Sequence, residues 1–217
     1  MREKHRENIS ARNEKSIKKS ITRNMLVAFY YMFARLFPTQ PIPGYRFGYW
    51  LRRRLCEKIF LYCGENVIIK KNAYFGDGSG MVIGHNSQLG EDCVVPRDLV
   101  IGNDVVMGPQ VIIYAISHEF SSLDKPIRLQ GATPRKTPVI GDDVWIGARV
   151  VIMPGVRIGS HAVIGTGSIV TRDVPELAVA AGIPARVIRY RNGKSKRLPS
   201  SDQQDASSPN SPPQAEP

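Results

Sequence analysis

The chain has 217 residues, enough for one ordinary domain with extensions and too few for two full domains. Hydrophobic residues make up 42%, which suffices for a core; Cys56, Cys63 and Cys93 are odd in number and match no metal or redox spacing, so a disulfide-stapled class is excluded. The net charge of +11 is concentrated at one end: up to residue 60 there are 14 basic and 4 acidic residues, leaving +10 there and a nearly neutral body.

The first 20 residues or so are polar and basic and are expected to be mobile. The run "NMLVAFYYMFARLFP" (Asn24–Pro38) is apolar but shorter than the roughly 20 residues a helix needs to cross a bilayer. It predicts a helix capping the open end of the following domain, and its basic flank also suits contact with an anionic membrane. "PTQPIPGY" is a turn-rich break. "RFGYWLRRRLCEKIFLYCG" has helical spacing and predicts a second helix stopping at Gly64, with Arg52, Arg53 and Arg54 on its solvated face. No aromatic-interleaved basic platform or nucleic-acid fold signature is present, so no nucleic-acid partner is expected.

From Ile83 a large aliphatic falls on every sixth residue: Ile83, Leu89, Val95, Ile101, Met107 and Ile113, then Ile140, Ile146, Ile152, Ile158, Ile164 and Val170. A glycine follows at most of these positions. Four residues after the aliphatics stand small or β-branched residues such as Ser87, Val105, Val144, Val150 and Ser168. A period of six fits neither a helix at 3.6 nor a plain strand at 2. It fits an all-β solenoid of hexapeptide repeats, in which each coil buries the same position on every flat side. The step from Ile113 to Ile140 is 27, which is not a multiple of six, so a loop has been inserted there. An aperiodic loop of roughly 20 residues is uncommon unless functional, and this one carries His118. From Asn192 the chain turns to Ser, Pro, Gln and Asp, and residues 192–217 are expected to be a disordered tail.

Two stretches resemble a known family. "PVIGDDVWIGARVVIMPGVRIGSHAVIGTGSIVTRDVPELAVAAGIPARVIR" (Pro138–Arg189) is similar to the end of the maltose, galactoside and polysaccharide O-acetyltransferases, and "AISHEFSSLDKPIRLQG" (Ala115–Gly131) looks most like the loop of the sugar and exopolysaccharide enzymes. The resemblance is to the hexapeptide-repeat acetyltransferases and covers Gly64 to Arg191. It implies a left-handed parallel β-helix over 64–191 with an active-site loop at 115–138, behind a basic helical extension at 1–63. It also implies acetyl-CoA as acyl donor without a metal, a homotrimer, and a site between subunits.

Acetyl transfer from a thioester to a hydroxyl needs a base for the hydroxyl proton and a donor for the developing oxyanion, commonly a backbone N–H. Histidine suits the first task at neutral pH, typically contributing roughly 10²–10⁴-fold. Of the four histidines, His5 lies in the basic extension, His85 and His161 fall on repeat corners, and His118 stands at the mouth of the loop. The resemblance makes His118 the catalytic base. It implies that Trp145, Ala148, Gly165 and Thr166 line the pantetheine groove, that Thr171 and Arg172 meet coenzyme A, and that Arg186 faces the nucleotide phosphates, for which a guanidinium fork is suited. The asparagine and aspartate that hold the sugar in the maltose and galactoside enzymes precede the loop; "GEDCVVPRDLVIGNDV" (Gly90–Val105) offers no match for that asparagine.

The expected activity is therefore O-acetylation of a sugar hydroxyl of a cell-surface polysaccharide or its lipid-linked precursor, by a cytoplasmic protein that could sit at the inner face of the membrane. An N-acetyltransferase of an amino- or nucleotide-sugar would use the same base. A zinc carbonic anhydrase on this fold would need three converging imidazoles, and His118 has no second histidine shortly after it. A non-catalytic solenoid would have no use for acetyl-CoA.

Overall fold

A computed structural model of the chain describes residues 21–193. The basic stretch expected to be mobile, and all but the first two residues of the tail expected to be disordered, lie outside the described residues. The architecture is the expected left-handed parallel β-helix behind a helical cap.

The first face of the solenoid stacks β1 (Tyr62–Cys63), β3 (Val82–Ile83), β5 (Val100–Ile101), β8 (Val139–Ile140) and β11 (Arg157–Ile158). The second starts with β2 (Ile68–Ile69) and β4 (Gln88–Leu89) and continues through β6 (Val106–Met107), β9 (Trp145–Ile146), β12 (Val163–Ile164), β14 (Ala178–Gly182) and β15 (Ala185–Tyr190). The third stacks β7 (Ile112–Ile113), β10 (Val151–Ile152) and β13 (Ile169–Val170), extended downward by bridges from Ile112 to Val94 and on to Tyr74. Among the described residues all pairings between these strands are parallel except that of β14 with β15, a hairpin that closes the last coil.

The register explains the six-residue beat. Val82 pairs with Val100, a step of 18, which is three hexapeptides. Val100 pairs with Val139, a step of 39, or 18 plus 21, so the insertion leaves and rejoins one corner without disturbing the stack. The lowest step, Tyr62 to Val82, is 20 and absorbs the irregular "FGDGSG" segment. All twelve aliphatics of the beat are at most 3% exposed. Each contributes roughly 2 kcal/mol by leaving water. The buried hydroxyls are satisfied: Ser87 Oγ donates to the Gly102 carbonyl at 2.7 Å and accepts from the Val105 N–H at 2.9 Å.

At the corner between the first and second faces, Asn66, Asn86, Asp104, Asp143 and His161 all take left-handed backbone angles, which Asn and Asp tolerate best. Their side chains form a ladder, with Asn66 bonded to Asn86 at 3.1 Å and Asn86 to Asp104 at 2.9 Å.

The cap consists of α1 (residues 21–32), a 3₁₀ turn at Ala34–Leu36, and α2 (Tyr45–Ile59). Tyr30, Leu55, Ile59 and Phe60 close over Phe75, hiding the apolar end of the first coil as expected. Two details differ from expectation. The second helix ends at Ile59, and Gly64 is the first corner of the solenoid: a Cβ there would lie 2.6 Å from the His85 nitrogen, so stacking of coils, and not helix termination, demands glycine. Arg52 is not solvated. It is fully buried and donates to the carbonyls of Ile69 (2.6 Å), Ala34 (3.2 Å), Phe37 (2.7 Å) and Pro38 (3.3 Å), riveting the cap to β2. No helix among the described residues is long and apolar enough to cross a membrane.

Candidate active site

After β7 the chain leaves the solenoid at the corner between the third and first faces. Residues 115–119 run antiparallel to 131–136: Thr133 donates to Ser117 at 2.8 Å, Glu119 to Gly131 at 3.1 Å and Lys136 to Ala115 at 2.8 Å, and His118 pairs across with Ala132. The tip is fastened by Gln130, whose side chain meets Ser122 and Lys125. The return limb is tied back to the solenoid by Asp98, which accepts a guanidinium fork from Arg135 and the Thr137 hydroxyl at 2.7 Å. The Arg135 fork, helped by Thr137, holds the Asp98 carboxyl down at about 2.

This arrangement puts His118 on a wall of a cleft of about 410 Å³, lined also by Tyr114, Ile116, Ala132, Met153 and Pro154. The imidazole is exposed, and among the described residues it has no hydrogen-bond partner, so both ring nitrogens are open to a ligand. An apolar cleft with one basic nitrogen is suited to taking a proton from a bound hydroxyl.

Thr171 and Arg172 lie on the same corner, higher in the stack. Tyr114 donates to the Ile152 carbonyl at 2.9 Å and Met153 to that of Val170 at 3.0 Å, so Thr171 and Arg172, both exposed, follow in the column above the cleft. The other expected residues form a second group. Trp145 is 56% exposed on the second face, between Val106 and Val163. Ala148 and Thr166 stack at the next corner, where a Cβ on Gly147 would lie 2.6 Å from the Thr166 nitrogen. A Cβ on Gly165 would meet that of Ala181, which pairs across the hairpin with Arg186. The glycines of this column are set by close stacking of successive coils, and Ala148 and Thr166 lie along it near the exposed Trp145 indole. Within one chain the third face separates the two groups. Asp98, Arg135 and Thr137 were not singled out in the sequence, and neither were the cleft walls Tyr114 and Met153. The Asp98 pairing spans 37 residues across an insertion of no period, so no local signal marks it. His161 serves its corner instead, bonded to Asp143 at 2.9 Å beside Arg191.

Residues 137–172 match the model of the bacterial transferase hexapeptide (six repeats). The galactoside O-acetyltransferase of Escherichia coli (strain K12) is 38% identical over 147 residues, covering 67% of this chain and 71% of that one. The chain belongs to the hexapeptide-repeat acetyltransferases. Among solved structures, a galactoside acetyltransferase in complex with coenzyme A superposes on this acetyltransferase with a TM-score of 0.62 and 33% identity, over 80% of each chain. A maltose O-acetyltransferase from Clostridium difficile 630 gives a TM-score of 0.61 at 30% identity, over 79% of this chain and 89% of that one. The acetyltransferase is thus an acyltransferase that uses acetyl-CoA as donor.

Proposed function

We propose that the protein transfers an acetyl group from acetyl-CoA to a sugar hydroxyl of a cell-surface polysaccharide or its lipid-linked precursor, with His118 as general base. The observation that carries this reading is the unpartnered imidazole on the wall of an apolar cleft, held by an antiparallel limb that is fastened to the solenoid. His118 accepts the proton of the acceptor hydroxyl as its oxygen bonds to the acyl carbon, and returns it to the coenzyme's thiolate as the carbon–sulfur bond breaks. Bound acetyl-CoA supplies the activated acyl carbon. Trp145, Ala148, Gly165 and Thr166 hold the pantetheine, Thr171 and Arg172 meet the coenzyme, and Arg186 faces its phosphates. The separation of these residues into two groups supports a homotrimer, in which the His118 corner of one copy faces the Trp145 column of the next. The named relatives act on galactoside and maltose; the basic, apolar end of this chain favours an acceptor found at a membrane.

The test is thiol release from acetyl-CoA by the wild type and His118→Ala, across a panel of sugars, amino-sugars and envelope glycolipids. Acceptor-dependent release should fall by roughly 10²–10⁴-fold in the variant. Release that survives in His118→Ala removes histidine as the base, and an amine-only acceptor profile makes the enzyme an N-acetyltransferase.

A further inference from the structure

We propose that α1 and α2 together form a docking surface for an anionic lipid layer, on which the enzyme lies without spanning it. A helix that caps a solenoid needs one apolar face, turned inward. α1 has two. Tyr30 is buried against the first coil, as is Ala34 in the turn that follows, while Ile21, Met25 and Phe29, spaced by four and so on one stripe, all face outward, and the exposed Phe33 just past the helix meets Phe29 at 5.4 Å. On α2 the buried face carries Gly48, Arg52, Leu55 and Ile59, and the outward face carries Phe47 and Trp50, stacked at 5.7 Å and each more than half exposed. Phe37, which closes the 3₁₀ turn, meets Phe47 edge-on at 5.3 Å and so joins the aromatic cluster of α2.

The charges around this surface choose its partner. Apart from the buried Arg52, residues 21–56 contain five arginines and no aspartate or glutamate. Arg46, Arg53 and Arg54 share the outward face of α2 with Trp50. Arg53 and Arg54 share the single carboxylate of Glu57, and Arg46 has no ion pair among the described residues. A second copy laid face to face on this patch would set arginine against arginine. A layer of anionic headgroups over hydrocarbon meets both features at once, with guanidinium groups on phosphate and the aromatic rings at the boundary. Scattered exposed apolar residues need no explanation, but two aromatic clusters on the cap, Phe29 with Phe33 and Phe37 with Phe47 and Trp50, do. The inference rests on the proposed function only for the membrane as the place where the acceptor is met; its physical argument uses none of the catalytic residues.

The experiment is co-sedimentation of the full chain with vesicles of phosphatidylcholine, with and without phosphatidylglycerol. The expected result is binding to the anionic vesicles, little to the neutral ones, and release as salt is raised. Phe47→Ser with Trp50→Ser, and separately Arg46→Gln with Arg54→Gln, should each weaken binding by about tenfold or more. All four side chains are at the surface, so the variants should stay folded, and transfer to a water-soluble acceptor should persist. No binding, equal binding to both vesicles, or binding indifferent to these substitutions overturns the proposal. So does a change in molecular mass of the Phe47/Trp50 variant without vesicles, which would mean that another copy covers the patch. Failure of acetyl transfer alone, with vesicle binding intact, would count against the catalytic reading and leave this one standing.

Discussion

Replacing Asp98 with asparagine should loosen the loop that carries His118 while leaving the solenoid folded. The Arg135 fork and the Thr137 hydroxyl hold the Asp98 carboxyl at about 2, below its ordinary 3.8. A drop of nearly two is worth about 2.5 kcal/mol at the usual conversion. The side chains of Asp98 and Arg135 are 30% and 33% exposed, and solvent screening brings the coupling down to about 1–1.5 kcal/mol. The clamp joins only the return limb to the corner before β5, so the loss falls on local opening of the loop and amounts to about tenfold. Hydrogen exchange of peptides covering 115–119 and 131–137 reads this directly. The carboxyl is depressed in the folded protein, so its contribution is complete above its ordinary value and fades as pH falls through about 2. The difference between wild type and variant should shrink over that window. Unchanged exchange in both limbs, or faster exchange spread evenly over all coils, would refute the clamp.

Three further substitutions probe other links. Arg52→Met removes the donor for four buried or part-buried carbonyl contacts and should cost about 3 kcal/mol or more, seen as a lower urea midpoint with the cap unfolding first. Gly147→Ala drives a Cβ to 2.6 Å from the Thr166 nitrogen and should destabilise by about 1–3 kcal/mol while weakening coenzyme A binding, measured by calorimetry on the same samples. Under the proposed function, Arg186→Ala should raise the Kd for coenzyme A about tenfold with kcat nearly unchanged, since a guanidinium facing the phosphates would serve binding and not proton transfer. A fall in kcat alone would place Arg186 elsewhere.

The solenoid was legible because its coil of 18 residues is a whole number of hexapeptides, so every buried aliphatic announces itself in one dimension. The insertion was legible for the same reason, as a break in the count. What escaped has partners that no period connects. Arg52 reads as one of three consecutive arginines, and only the fold reveals that it points at the carbonyls of the 3₁₀ turn and β2. Asp98 reads as a corner residue until Arg135 returns to it from the far side of the loop. Gly64 looked like a helix stop because glycine serves two purposes, and the sequence does not say which applies. The division of the expected site residues between two corners was hidden as well, since adjacency in the repeat gives the coil but not the corner.

Because Val100 and Val139 pair as though the intervening 21 extra residues did not exist, the scaffold is blind to what the loop contains. Changes in the length or chemistry of residues 115–138 leave the column around Trp145 where it is, provided the Asp98 fastening is kept. Under the proposed function, acceptor choice would then diversify by exchange of one cassette, on a frame whose geometry toward the donor stays fixed by the stack.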